Sequence, residues 1–142
     1  MITFTVGDRL PSAQVEVAFA RIAQVTATTG DWYPGHYDPA FADAQGQPTI
    51  FASTLYLHGI VDKFVTDIFG SDAFIFRRRM RMLSSVYAGF TGVLRGSVVA
   101  DDPASGRVTV EVELADEGVV LVWAEVVFGT NDEQDQPAEI GR

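Results

Sequence analysis

One long apolar helix set among segments of period two leaves this chain few ways to fold. Across residues 51–69, Leu57, Ile60, Val61, Phe64 and Ile68 recur at helical spacing, Leu55, Val65 and Phe69 widen the stripe, and Gly70 is placed to end the helix. A helix this apolar has to be largely covered. In residues 107–114, Val108, Val110, Val112 and Leu114 alternate with Arg107, Thr109, Glu111 and Glu113, which gives a strand one apolar and one charged face. Residues 88–100 read as another strand. Residues 119–128 are apolar on both faces apart from Glu125 and include Trp123, so cover is expected from the helix on one side and from a second subunit on the other. Residues 73–82 put Phe74, Phe76, Met80 and Met82 on one face with Arg78, and Arg77, Arg79 and Arg81 on the opposite face. Residues 15–28, rich in Val, Ile, Ala and Thr, read as a strand feeding the loop that follows, and residues 1–10 as a short strand or arm. One buried helix among roughly five antiparallel strands is an α+β arrangement.

At 142 residues the chain has room for one core. The domain is placed at residues 1–130, and residues 131–142, with four acids and almost no core residues, are expected to form an acidic, frayed tail. A net charge of −9 argues against nucleic acid and anionic membrane as partners, since both need a positive field over the contact surface. The apolar runs are too short to span a bilayer and no basic segment precedes an apolar one at the start, so a soluble, cytoplasmic protein is expected. The absence of cysteine excludes disulfides, thiolate metal sites and a cysteine nucleophile. No phosphate-binding glycine loop, zinc-ligand spacing or serine-hydrolase elbow occurs.

The stretch with most chemistry is residues 29–39. Asp31 and His36 lie five residues apart, and Gly30, Pro34, Gly35 and Pro39 prevent regular structure from running through them. A carboxylate and an imidazole converging on an irregular loop can position and activate a water. The same residues also fit a plain turn, with the aspartate bonding its own backbone and the histidine solvated. Asp38 followed by Pro39 opens a short helical turn. The start of the long helix, around Ser53, offers free N–H groups that stabilise developing negative charge. His58 falls in mid-helix beside the apolar stripe, where a packed or hydrogen-bonded histidine is expected. The arginine face has two readings, a solvated surface paired to acids on a neighbouring strand or a site for a phosphorylated ligand.

Gly30-Asp31-Trp32-Tyr33-Pro34-Gly35-His36-Tyr37-Asp38-Pro39 resembles the hydratase motif Gly-Asp-x-Asn-Pro-x-His-x-Asp-Pro of the MaoC-like enoyl-CoA hydratases, with its spacing kept. Phe41-Ala42, Gly46 and the helix opening stay in register, and the resemblance covers most of the chain. It is nearest to the small MaoC-like chains of actinobacterial steroid side-chain degradation. The resemblance implies a hot-dog fold and syn addition of water to a trans-2-enoyl-CoA, with Asp31 and His36 as the catalytic pair and an N–H at Ser53 on the thioester oxygen. It implies no metal and no redox cofactor, because coenzyme A enters as part of the substrate. Arg77, Arg79 and Arg81 are the expected contacts to its phosphates, and a second hot-dog chain, identical or different, is the expected partner. The family's asparagine is Tyr33 here, an expected substrate contact. The usual Ala-His-Gly-Met at the helix start falls on Phe51-Ala52-Ser53-Thr54, so Ser53 stands where the glycine would be. Two alternatives follow from the same fold: an acyl-CoA thioesterase, or a non-catalytic subunit of a hydratase complex.

Overall fold

A computed structural model of the protein describes residues 4–129; the acidic tail foreseen at 131–142 lies outside them. Five antiparallel strands form one sheet in the order β1-β3-β4-β5-β2. They are β1 (Ala13–Val17), β2 (Phe74–Met82), β3 (Phe90–Asp102), β4 (Arg107–Asp116) and β5 (Val119–Gly129). Helices α1 (Phe19–Thr29), α2 (Pro39–Ala44) and α3 (Thr54–Phe69) all precede β2.

Helix α3 lies against one face of the sheet. Leu57, Val61, Phe64 and Val65 are buried with Val110, Val112 and Leu114 of β4 and Val122, Ala124, Val126 and Phe128 of β5. Antiparallel pairing sets Val110 opposite Val126, Val112 opposite Ala124 and Leu114 opposite Val122, so the inward residues of the two strands meet in the same rows. Between these strands Glu117 and Gly118 both have positive φ, 45° and 88°, the geometry a two-residue hairpin requires. On the opposite face Trp123 and Val127 remain half-buried.

Three expectations are corrected. Residues 15–28 are not one strand: β1 ends at Val17 and α1 begins at Phe19. Ile22 and Thr26, one helical turn apart, are the buried residues of α1, and the hydroxyls of Thr28 and Thr29 donate back to the carbonyls of Gln24 and Val25. That back-bonding accommodates residues whose branching otherwise favours strands. The loop bearing Asp31 therefore hangs from a helix end, with Gly30 in the left-handed region at φ 71°.

In β2, a bulge between Ile75 and Arg77 changes the phase of the alternation. Ile75, not Phe76, sits opposite Phe128 and packs on the core, while Phe76 lies under the Arg107 guanidinium at 4.3 Å. The long helix starts at Thr54 rather than at residue 51, because Ser53 caps it by accepting from the Tyr56 N–H. Before the cap, Phe51 N–H donates to Gly35 O, Ala52 N–H to Val86 O, and Ala88 N–H to Ile50 O, so residues 50–52 are held extended. The N-terminal arm runs beside β3, where Gly7 N–H and Leu10 N–H donate to Val98 O and Gly96 O.

Candidate active site

Asp31 and His36 are brought together by two short structures joined end to end. Gly30 closes α1 and releases the chain at Asp31, and a single 3-10 turn, Pro34–His36, carries His36 into the interior. Asp38 then caps α2 by accepting from the N–H groups of Ala40 and Phe41, with Pro39 at the first helical position as its fixed φ favours. The histidine is anchored from both sides along the chain. His36 is buried, and its Nδ1 lies 2.8 Å from the Phe51 carbonyl. A carbonyl only accepts, so in this bond Nδ1 carries the proton and, in the neutral ring, Nε2 carries the lone pair. Nε2 faces Asp31 Oδ2 at 3.6 Å. That separation exceeds a direct hydrogen bond, and two acceptors pointing at one gap match a group with two O–H bonds, a water.

His36 opens onto a cleft of about 450 Å³ that also touches Tyr33, Phe51, Ala52, Thr54 and the segment Met82 to Val86. Ser53, between Ala52 and Thr54 of its wall, is buried, with its hydroxyl oxygen accepting the helix-cap bond, while its own N–H makes no hydrogen bond among the described residues. The cap uses only a lone pair of the hydroxyl, so both the backbone N–H, which a glycine would offer equally, and the O–H are donors at this position. Four aromatic residues surround the imidazole and its neighbours. Phe51 and Tyr33 both meet the His36 ring edge-on, at 5.1 and 5.3 Å between centroids, Phe41 backs Tyr33 at 5.6 Å and Tyr87 backs Phe51 at 6.4 Å.

The arginines lie elsewhere. Arg77 and Arg79 point away from the helix and share Glu125 of β5, Arg79 in a two-pronged pair at 3.1 and 3.0 Å. Pairing to an acid on the neighbouring strand is thus what the structure gives these two. Arg81, outward opposite Trp123, makes no ion pair among the described residues and directly precedes Met82 of the cleft. Arg78 turns inward and pairs with Asp62 of α3. His58, one turn before Asp62, stays outside the cleft; its Nδ1 is buried without a partner, and burial, then the Arg78 charge, hold its pKa below the ordinary histidine value.

Several members of the site were not visible in the sequence. The Phe51 carbonyl is a backbone group and leaves no residue-type signal. The segment from Leu83 to Val86 was marked only by Ser84-Ser85 ending the alternation of β2. Both lie far from the motif along the chain and reach it because residues 50–52 and 86–88 bond to each other.

This fold and this site define a member of the MaoC-like domain family, to which the chain belongs through residues 5–119. The architecture is the hot-dog fold. Over 107 residues the chain is 33% identical to the beta subunit of 3-oxo-4,17-pregnadiene-20-carboxyl-CoA hydratase of Mycobacterium tuberculosis, covering 75% of this chain and 81% of that protein. It superimposes on the ChsH1-ChsH2 complex from Mycobacterium tuberculosis with a TM-score of 0.84 and 29% identity, over 91% of this chain and all of the matched one. The (R)-hydratase from A. caviae involved in PHA biosynthesis matches with a TM-score of 0.82 over 90% of this chain and 98% of that one, at 18% identity, a likeness of fold alone. Among the described residues no helix is long and apolar enough to cross a membrane.

Proposed function

We propose that this chain is the catalytic subunit of an enoyl-CoA hydratase that adds water to a trans-2-enoyl-CoA carrying a bulky, steroid-derived acyl group. The observation that carries the reading is the His36–Asp31 gap with Nδ1 committed to the Phe51 carbonyl. A water donating to Asp31 Oδ2 and His36 Nε2 keeps an oxygen lone pair for the β-carbon. As the C–O bond forms, one member of the pair takes a water proton and the π electrons move onto the thioester oxygen, where N–H groups at Ser53 stabilise the charge. Return of a proton to the α-carbon completes a 3-hydroxyacyl-CoA, and no other reactant is consumed.

The substrate class follows the hydratase beta subunit that the chain resembles. A second hot-dog chain is proposed as partner, on the likeness to a subunit of a two-chain complex and on the apolar rim of the cleft. Met82 and Leu83 there are 52% and 61% exposed, more than a solitary site needs. Arg81, with Arg77 and Arg79 behind it, is proposed to meet the phosphates of coenzyme A, and Tyr33 to contact the acyl group.

The test is loss of the enoyl-thioester absorbance with short-chain and steroid side-chain trans-2-enoyl-CoA esters, with and without a candidate partner chain. Asp31→Asn, which keeps size and removes the proton acceptor, should lower kcat by about 10²-fold or more. Undiminished turnover in a complex containing Asp31→Asn would make this chain a structural subunit, and thiol release from saturated esters would make it a thioesterase.

A further inference from the structure

We infer that Tyr33 and Phe51 act as one positioning device for His36, an aromatic clamp in place of the amide and the small residue that the hydratase motif has at these positions. The inference rests on the hydratase reading for its kinetic arm only.

A single hydrogen bond at Nδ1 fixes one point of an imidazole but leaves the ring free to swing about it. The direction of Nε2 then depends on what touches the ring plane. Phe51 meets that plane edge-on at 81° and Tyr33 at 67°, and the two rings are themselves 6.3 Å apart, so the imidazole, Tyr33 and Phe51 form a closed three-ring contact. Each outer ring has its own support, Phe41 against Tyr33 at 88° and Tyr87 against Phe51 at 85°. Tyr87 is tied in turn by its hydroxyl to the Gln47 side chain.

Gly35 shows how closely the clamp shuts. A Cβ built on it would lie 2.6 Å from Tyr33 Cε1 and 2.9 Å from Phe51 Cε1 and Cζ, so both rings occupy the space a side chain would need. The two substitutions are therefore coupled. Phe51 supplies the carbonyl that takes the Nδ1 proton and the ring that lies against the imidazole, and Tyr33 closes the other side. Both rings also line the cleft, which places the clamp between the water-binding gap and the substrate. Tyr33 is a positioning residue here through its ring, and its hydroxyl makes no hydrogen bond among the described residues.

Tyr33→Asn, which restores the motif's residue, should lower kcat by about tenfold, the rate equivalent of one lost aromatic pair, beyond any rise in KM from the lost acyl contact. Tyr33→Phe should recover most of that loss. Phe51→Ala should lower kcat similarly, and the double variant Tyr33→Asn/Phe51→Ala should be no slower than the worse single variant, because residues acting as one unit are not additive. The independent readout is the orientation of the His36 ring, read from NOEs between its Hδ2 and Hε1 protons and the Phe51 ring, assigned against His58→Gln. Wild type should show one fixed pattern and Tyr33→Asn a weakened, averaged one, with Nδ1 still protonated in both because the bond to the Phe51 carbonyl is kept. Unchanged kcat and an unchanged NOE pattern in Tyr33→Asn would overturn the clamp, as would fully multiplicative losses in the double variant. Absence of hydration by wild type on every ester, with the loss of ring order still present in Tyr33→Asn, would sink the hydratase reading and leave the clamp standing.

Discussion

Gly35→Ala is the smallest change that tests whether the ring packing around His36 governs catalysis. The backbone at Gly35 lies outside the left-handed region, so alanine brings no torsional strain and the effect is steric alone. The added methyl meets Tyr33 at 2.6 Å and Phe51 at 2.9 Å, against about 3.5–4.0 Å for relaxed carbon contacts. Relief requires the two rings to retreat by roughly 1 Å. Tyr33 is 45% exposed and can move outward, but Phe51 is held at its backbone by Gly35 and at its ring by Tyr87 and His36. Overpacking of this kind costs about 1–3 kcal/mol, which for a domain of this size lowers Tm by roughly 3–10 °C. A misplacement near 1 Å of the group that holds the water lowers kcat/KM by about 10²-fold. Thermal unfolding and the enoyl-absorbance assay read the two effects separately. Wild-type kcat/KM in a variant whose Tm has dropped as expected would show that the rings can move without disturbing Nε2, and the positional argument would fail.

The remaining expectations separate the roles of other residues. Ser53→Ala should lower stability by about 1 kcal/mol through loss of the helix cap, read by denaturant unfolding, and kcat should fall much less than in Asp31→Asn because the backbone N–H remains. Arg81→Ala should raise KM for the CoA ester by about fivefold with kcat little changed, the loss of one exposed charge-assisted contact. Arg79→Ala should also raise KM more than it lowers kcat, and in addition cost up to about 1 kcal/mol, since it leaves Glu125 to Arg77 and opposite Glu111. His58 has a folded-state pKa below 6.5, so the unfolded chain binds the proton more readily; stability should decline as pH drops below 6.5 toward the folded pKa. In His58→Gln that part of the acid decline should disappear from urea unfolding curves measured across the window.

The parts of this fold that were legible in the sequence are those fixed by short-range pattern. In β4 and α3, apolar spacing and burial coincide: Val110, Val112 and Leu114 are buried as their alternation requires, and Leu57, Val61 and Phe64 as their helical period requires. The helix of residues 19–29 was hidden because Val, Ile and Thr satisfy both periods over a few residues, and the threonine hydroxyls that stabilise it bond to carbonyls no composition reveals. The bulge in β2 was hidden because the partner strand sets the register, and one extra residue moves Phe76 to the other face. The motif loop was readable for the opposite reason, since it must make its own geometry without a ladder and so carries Gly30, Pro34, Gly35 and Pro39.

The arginine row shows where pattern stops deciding function. Period two placed Arg77, Arg79 and Arg81 on one face, and that face is shared, but only the neighbouring strand determines what each arginine does there. Glu125 falls opposite Arg79 and directly across from Glu111, so without a cation two carboxylates would face each other on adjacent strands. Arg77 and Arg79 answer that local need. Arg81 falls opposite Trp123, which asks for no cation, and it stands next to the residue that lines the cleft. The same three-residue signal thus divides into two arginines paired across the sheet and one that makes no ion pair among the described residues, a division set by a strand about forty residues further along the chain.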